Sequence, residues 1–202
     1  MVVVGTALLL ISAGLAMSAT PVIQPPAATD SLTGRLLVAT PKIHDPRFMR
    51  TVIYVVQHDS TGAMGVVLNR PMVEVPLARL LVELGIESEG VGGTIRMHYG
   101  GPVERSRGFL LHTADYQAES TAVIRDGVAL SGQPEVWRAL AAGKGPRRSL
   151  FVLGYSGWGS GQLESEIRAG HWVVVPAEED LVFDDDYDGK WPRAMARLKI
   201  DL

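Results

Sequence analysis

The stretch SLFVLGYSGWGSGQLESEIRAGHWVVV, residues 149–175, decides the fold. Leu150 to Leu153 is an apolar run with the length and composition of a buried strand. Four glycines follow within eight residues, Gly154, Gly157, Gly159 and Gly161, and read as a glycine-dense bend. So many glycines weaken any element, so the backbone there must need positive φ or close approach. Leu163 and Ile167, four apart, mark a short helix that Gly170 stops. Trp172 to Val175 is a second apolar strand. The connection between the two strands is long enough for a parallel crossover, which would be right-handed.

Outward from this unit, strands are expected at Leu36 to Ala39, Thr51 to Gln57 and Met64 to Leu68, with His58 to Gly62 as a turn. Two further strands, Ile95 to His98 and Gly108 to His112, flank the turn Gly100-Gly101-Pro102. Ala122 to Arg125 and Val128 to Leu130 form a hairpin about Asp126-Gly127. Leu77, Leu80, Leu81 and Leu84 make one helical stripe between Pro76 and Gly85. Pro134 to Ala142 repeats the proline start and glycine stop. Residues 178 to 188 hold seven acids and no base and read as a solvated acidic loop. Asp184, Asp186, Asp188 and Gly189 mimic the opening of a calcium loop. Its twelfth position is Met195, where a bidentate Glu is needed, so the match fails. A last helix covers roughly Trp191 to Leu198. The expectation is an α+β fold, a single compact domain with a mainly antiparallel, strongly twisted sheet and about four helices.

Composition sets bounds. The chain has 202 residues, 47% of them hydrophobic and 20% charged, and a net charge of −3. That length suits one domain with a full core. The negative balance gives no global attraction to phosphate backbones, so direct nucleic-acid binding is not expected. With no cysteine, disulfides, thiol catalysis and cysteine-bound metals are excluded. No metal or cofactor spacing is present, and none is expected. Residues 1–31 form an apolar and then proline-bearing extension ahead of a domain at 32–202. Val2 to Met17 superficially suggests an export signal, but no Lys or Arg precedes Arg35. Met17 as the natural start is the preferred reading, with export open.

Four ordered segments carry a resemblance: LTGRLLVATPKIHDPRFMRTVIYVVQH (32–58), GAMGVVLNRP (62–71), YGGPV with GFLLH (99–112), and GYSGWGSGQLESEIRAGHW (154–172). Together they resemble the YqgE/AlgH family of bacterial proteins. The resemblance implies one compact domain with a mixed sheet and flanking helices, in a protein that is normally cytoplasmic. It implies no reaction. Members are often labelled transcriptional regulators, a label that rests on association rather than on a DNA-reading element. Lys42-Ile43-His44 departs from the family pattern at a surface loop.

The residues that can carry chemistry are few. Asn69 and Arg70 follow a buried strand. Arg70 can fork onto a carboxylate or phosphate, or pair internally with Glu164 or Glu166. His58 and His112 each close a strand and are the candidate bases, with Arg70 as charge stabiliser. Gln162 and Glu166 share a helix face, Glu164 flanks them, and Trp158 stands in the bend. Either acid can simply complement the helix dipole. Neither Ser156 nor Ser160 has the glycines of a nucleophile elbow. Lys144, Arg147 and Arg148 are too few for a nucleic-acid patch. Three functions stay open. The first is a non-catalytic binding or regulatory domain for a small molecule or protein, with one groove built from Asn69, Arg70, Gly100, Gly101, Trp158, Gln162, Glu164 and Glu166. The second is a hydrolase or transferase using His58 or His112 with Arg70. The third is a transcriptional regulator, acting directly or through a partner. No membrane contact is expected of the folded domain.

Overall fold

The computed structural model describes residues 31–198. The expectations for residues 1–30 lie outside them. Ten strands form one curled, mainly antiparallel sheet, with five short helices on it. In chain order the strands are β1 (Arg35–Ala39), β2 (Val52–Asp59), β3 (Gly62–Val67), β4 (Pro71–Pro76), β5 (Thr94–Tyr99), β6 (Val103–Thr113), β7 (Ala122–Arg125), β8 (Val128–Ser131), β9 (Ser149–Gly159) and β10 (Trp172–Pro176). The helices are α1 (Leu77–Glu83), α2 (Pro134–Ala141), α3 (Gln162–Arg168), α4 (Glu179–Phe183) and α5 (Tyr187–Arg197). The α+β fold and single compact domain are as expected.

The main path of the sheet runs β10-β1-β2-β3-β9-β6-β8-β7, and β4 and β5 branch from it at β9. The organising strand is therefore β9. Its first half pairs antiparallel with β6 through Leu150–Leu111 and Val152–Phe109. On the other side that half pairs parallel with β5 through Phe151–Met97. Its second half pairs with β3, Trp158 against Ala63.

This corrects the reading of Gly154 to Gly161 as a bend. β9 runs straight through Gly154, Gly157 and Gly159, and only Gly161 lies outside it. Ser156 and Trp158 are buried while Gly157 and Gly159 are exposed, so the period is two. Gly157 and Gly159 sit on the outer face of the strand, while Gly154 is buried. Gly154 is the one that must be glycine: φ is +71°, and a Cβ would stand 2.7 Å from the carbonyl oxygens of Gly101 and Val103.

Other corrections follow from pairing. β9 and β10 are not neighbours, since β3, β2 and β1 lie between them, but four successive antiparallel pairings leave the two running the same way, so the connection through α3 is a crossover that spans three strands. β5 and β6 are not partners across the Gly100-Gly101-Pro102 turn, since β9 separates them. The turn at His58 to Gly62 is narrower than expected, with strand to Asp59 and again from Gly62. The edge strand β4, PMVEVP, is bounded by prolines and mostly exposed, so it lacked a strand signature. The acidic stretch is not simply a solvated loop. It contains α4, and Asp184 pairs with Lys190 and Arg193. Among the described residues no helix is long and apolar enough to cross a membrane.

The core has two faces. Tyr54, Leu68, Leu111 and Val152 pack on one side against α4 and α5, through Leu181, Phe183 and Ala194. Leu37, Ile53, Val67, Trp158, Leu163 and Trp172 pack on the other, where α3 closes the sheet. α1 and α2 cover a third cluster around Trp137 and Phe151.

Candidate functional site

Two cavities flank the loop between β1 and β2. The first, about 420 Å³, is lined on the sheet side by Ser156, Trp158 and Trp172, and on the helix side by Gln162 and Glu166. The loop supplies Lys42, His44, Asp45, Arg47 and Phe48. The second, about 580 Å³, is lined by Pro46, Met49 and Arg50 of the same loop, with Asn69, Arg70, Tyr187, Asp188 and Trp191.

Glu166 is the centre of the first cavity. Trp158 Nε1 donates to its Oε2 at 3.0 Å, and Trp172 Nε1 donates to the same oxygen at 2.7 Å. Gln162 Nε2 donates to Oε1 at 2.9 Å. Gln162 Oε1 in turn accepts from the Gly159 N–H, tying the end of β9 to the start of α3. The two indoles meet edge to face at 6.0 Å, and Phe48 meets Trp172 the same way at 5.9 Å. Period two in β9 aims Trp158 inward. One turn of α3 then puts Gln162 and Glu166 on the same face.

In the second cavity Asn69 is a fastener. Its Oδ1 accepts from the Val52 N–H and its Nδ2 donates to the Arg50 carbonyl, both at 2.9 Å. Arg70 donates from Nη2 to the Met49 carbonyl. The expected internal ion pair of Arg70 with Glu164 or Glu166 does not form. Glu166 is taken by the indoles and Glu164 by His58. Among the described residues neither Arg50 nor Arg70 pairs with an acid.

The histidines lie elsewhere. The Leu32 N–H donates to His58 Nδ1 at 3.0 Å, so a neutral ring carries its proton on Nε2 and donates it to Glu164 Oε1 at 2.9 Å. The backbone N–H of Glu164 itself, followed by His58, holds that carboxyl below its ordinary range. His112 is fully buried. Its Nδ1 donates to the Thr113 carbonyl at 2.9 Å and its Nε2 accepts from the Ser131 hydroxyl at 3.0 Å. Thr121 extends that chain at 2.9 Å. This serine–histidine contact is sealed in the core, and neither histidine lines the cavity that holds Arg70.

The single groove expected from the sequence is therefore two sites. Trp158, Gln162 and Glu166 belong to the first, Asn69 and Arg70 to the second, and Glu164 faces His58. Gly100 and Gly101 are buried backbone contacts against β9 that line neither cavity. Trp172, Phe48, Arg50, Tyr187 and Trp191 were not singled out beforehand. The triplet Lys42-Ile43-His44, noted as a departure in a surface loop, lines the first cavity. Arg147 and Arg148 are neutralised by Glu179 and Asp180. No group of three His, Cys, Asp or Glu side chains able to hold a metal occurs among the described residues.

A sequence model described as AlgH-like matches residues 36–202. The chain belongs to the AlgH-like family. Relatives include a UPF0301 protein of Rhodospirillum rubrum, 46% identical over 170 residues, which span 84% of this chain and 88% of the relative. A UPF0301 protein of Caulobacter vibrioides is 48% identical over 171 residues, 84% of this chain and 88% of that one. The solution structure of the AlgH protein from Pseudomonas aeruginosa superposes with a TM-score of 0.70 at 36% identity, covering 87% of this chain and 93% of that one. A Corynebacterium diphtheriae protein, DIP2367, is alike in fold alone, with a TM-score of 0.65 at 21% identity.

The buried histidines are expected to make this AlgH-like domain acid-sensitive. Desolvation lowers the pKa of both His98 and His112. The unfolded chain binds protons at both positions as pH falls through about 6.5, and the fold binds them less readily. Stability is thus complete above that pH and falls as pH drops below it. The melting temperature should decline between about pH 6.5 and 5, before most carboxylates titrate. The slope over that interval should be shallower in His112→Asn; an unchanged slope would refute the assignment.

Proposed function

We propose that this domain binds a small ligand without transforming it, in the cavity beside Trp158, Trp172 and Glu166. The observation that carries the reading is the state of Glu166. Three donors fill three of about four acceptor positions on its carboxylate, and the free one is on Oε1. A ligand N–H placed there meets an oriented anion, with apolar surface from Phe48 and Ile43 beside it. The ligand class is therefore a small molecule with a hydrogen-bond donor next to an apolar group. Ser156, at the back of the cavity, points its hydroxyl at the Gly100 carbonyl, 3.5 Å away, and no histidine bonds to it. His58 and His112 are each held on both ring nitrogens by internal partners. Both facts favour binding over hydrolysis or group transfer. A cytoplasmic sensor that passes ligand occupancy to a protein partner fits this reading, and it needs no DNA contact.

The test uses ¹⁵N-labelled protein and a library of small amides and amines. A ligand in this cavity should move the indole Nε1–H resonances of Trp158 and Trp172 together and leave that of Trp137 in place. Glu166→Gln should weaken the same ligand roughly tenfold, about the worth of one hydrogen bond to a charged group. Turnover of an ester or phosphoester that disappears in His58→Gln would make the domain catalytic through the His58–Glu164 pair instead.

A further inference from the structure

The second cavity has its own chemistry. Arg50 sits in the left-handed region at φ 55°, a conformation that non-glycine residues adopt at a cost. Asn69 holds it there by accepting from Val52 and donating to the Arg50 carbonyl. The result is a guanidinium stacked on the Trp191 indole, 4.9 Å from the ring centroid. Trp191 is itself fixed by donation from Nε1 to the Ala39 carbonyl at 2.8 Å. Stacking occupies the face of the guanidinium and leaves its in-plane N–H donors free. Arg70 lines the same cavity with a single bond spent on Met49. Two fixed guanidiniums with no carboxylate partner therefore share one space of about 580 Å³, within the range of small-molecule sites.

We propose that this cavity binds the phosphate group of a small phosphomonoester. A phosphate ester carries close to two negative charges at neutral pH and three acceptor oxygens, which match two forked donors. Asp188 is the one carboxylate among the lining residues. It accepts a hydroxyl from the organic part of the ligand and disfavours a more highly charged polyphosphate. The two cavities share no lining residue, so this site stands or falls apart from the first.

The test is calorimetric titration at constant ionic strength with inorganic phosphate and with glycerol 3-phosphate, glycerol serving as blank. Both anions should bind saturably, the ester more tightly. Arg50→Gly should lose roughly tenfold or more in affinity, the worth of charge-assisted bonds to one guanidinium. Its melting temperature should hold or rise, since glycine accepts the left-handed backbone. Arg70→Gln should lose as much, with the residue at position 50 unchanged. Arg138→Gln, an exposed arginine with no ion pair on α2, should bind like wild type. The proposal is overturned if neither anion binds, if both Arg50→Gly and Arg70→Gln bind as well as wild type, or if a phosphoserine peptide binds while both small anions do not.

Discussion

Replacing Gly101 by alanine is expected to prevent the domain from folding. A Cβ at this position would stand 2.1 Å from the Tyr155 carbonyl carbon, 2.2 Å from its oxygen and 2.4 Å from the Ser156 nitrogen. All three are backbone atoms, so no rotamer change relieves the overlap. The contact lies where three strands are tied. The Gly100 N–H donates to the Leu153 carbonyl at 2.8 Å, and the Gly100 carbonyl accepts from the Val67 N–H at 2.9 Å. Moving β9 away from Gly101 would strain both bonds and disturb its pairing with β6 at Val103–Tyr155. A loss above about 4 kcal/mol is expected, against a total of ~5–15 kcal/mol for a domain. Gly92→Ala is the control: nothing lies within 4 Å of its Cβ and its φ is not positive. It should stay within about 0.5 kcal/mol of wild type. Soluble yield and urea midpoint read both variants. A Gly101→Ala protein with the wild-type midpoint would show that the close contact of the β5–β6 turn with β9 is not what fixes the sheet.

The same meeting of strands on β9 explains what the sequence could and could not reveal. Local punctuation was reliable: Pro134 opens α2, and Asp126-Gly127 turns β7 into β8, because these signals act within a few residues. The glycines of β9 misled because glycine is depleted in strands and common in turns, so a run of them reads as a bend. The signal that separates them is alternation, with Ser156 and Trp158 in phase and Gly157 and Gly159 out of phase. Pairing was illegible for a different reason. β9 takes partners from β3, β5 and β6, and nothing local in residues 149–159 encodes those choices. The site was half legible on the same grounds. Trp158, Gln162 and Glu166 lie within one strand–helix corner and were found together. Trp191 reaches a backbone partner 152 residues away, and Arg50 owes its place to the side chain of Asn69. Two cavities merged into one groove in the sequence reading because the loop between β1 and β2, which separates them, had no signature of its own.

Lys190→Ala is expected to cost about 3–4 kcal/mol, near the value for stripping one partner from a buried ion pair. Lys190 is fully buried. Its ammonium has three donors and three partners: the Leu181 carbonyl at 2.8 Å, the Val182 carbonyl at 3.3 Å and Asp184 Oδ1 at 2.7 Å. The two carbonyls belong to the C-terminal turn of α4, which has no further helix to satisfy them. Burial pushes the Lys190 pKa down, and Asp184 opposes that shift. Truncation removes the cation, empties its space and leaves two buried acceptors unpaired, while Asp184 keeps Arg193. Lys190→Met fills most of the volume and should lose less, so the difference between the variants reports the cavity alone. Arg193→Ala, from the half-exposed partner of Asp184, should cost under about 1 kcal/mol. Urea unfolding of the four proteins measures the order. The effect should also reach the arginine cavity. Lys190 lies between Tyr187 and Trp191 on α5, and loosening that helix releases the indole on which Arg50 stacks. Lys190→Ala should therefore bind glycerol 3-phosphate more weakly than wild type under conditions where both are folded. Equal affinity would mean that Trp191 is held by its bond to Ala39 independently of the α4–α5 anchor.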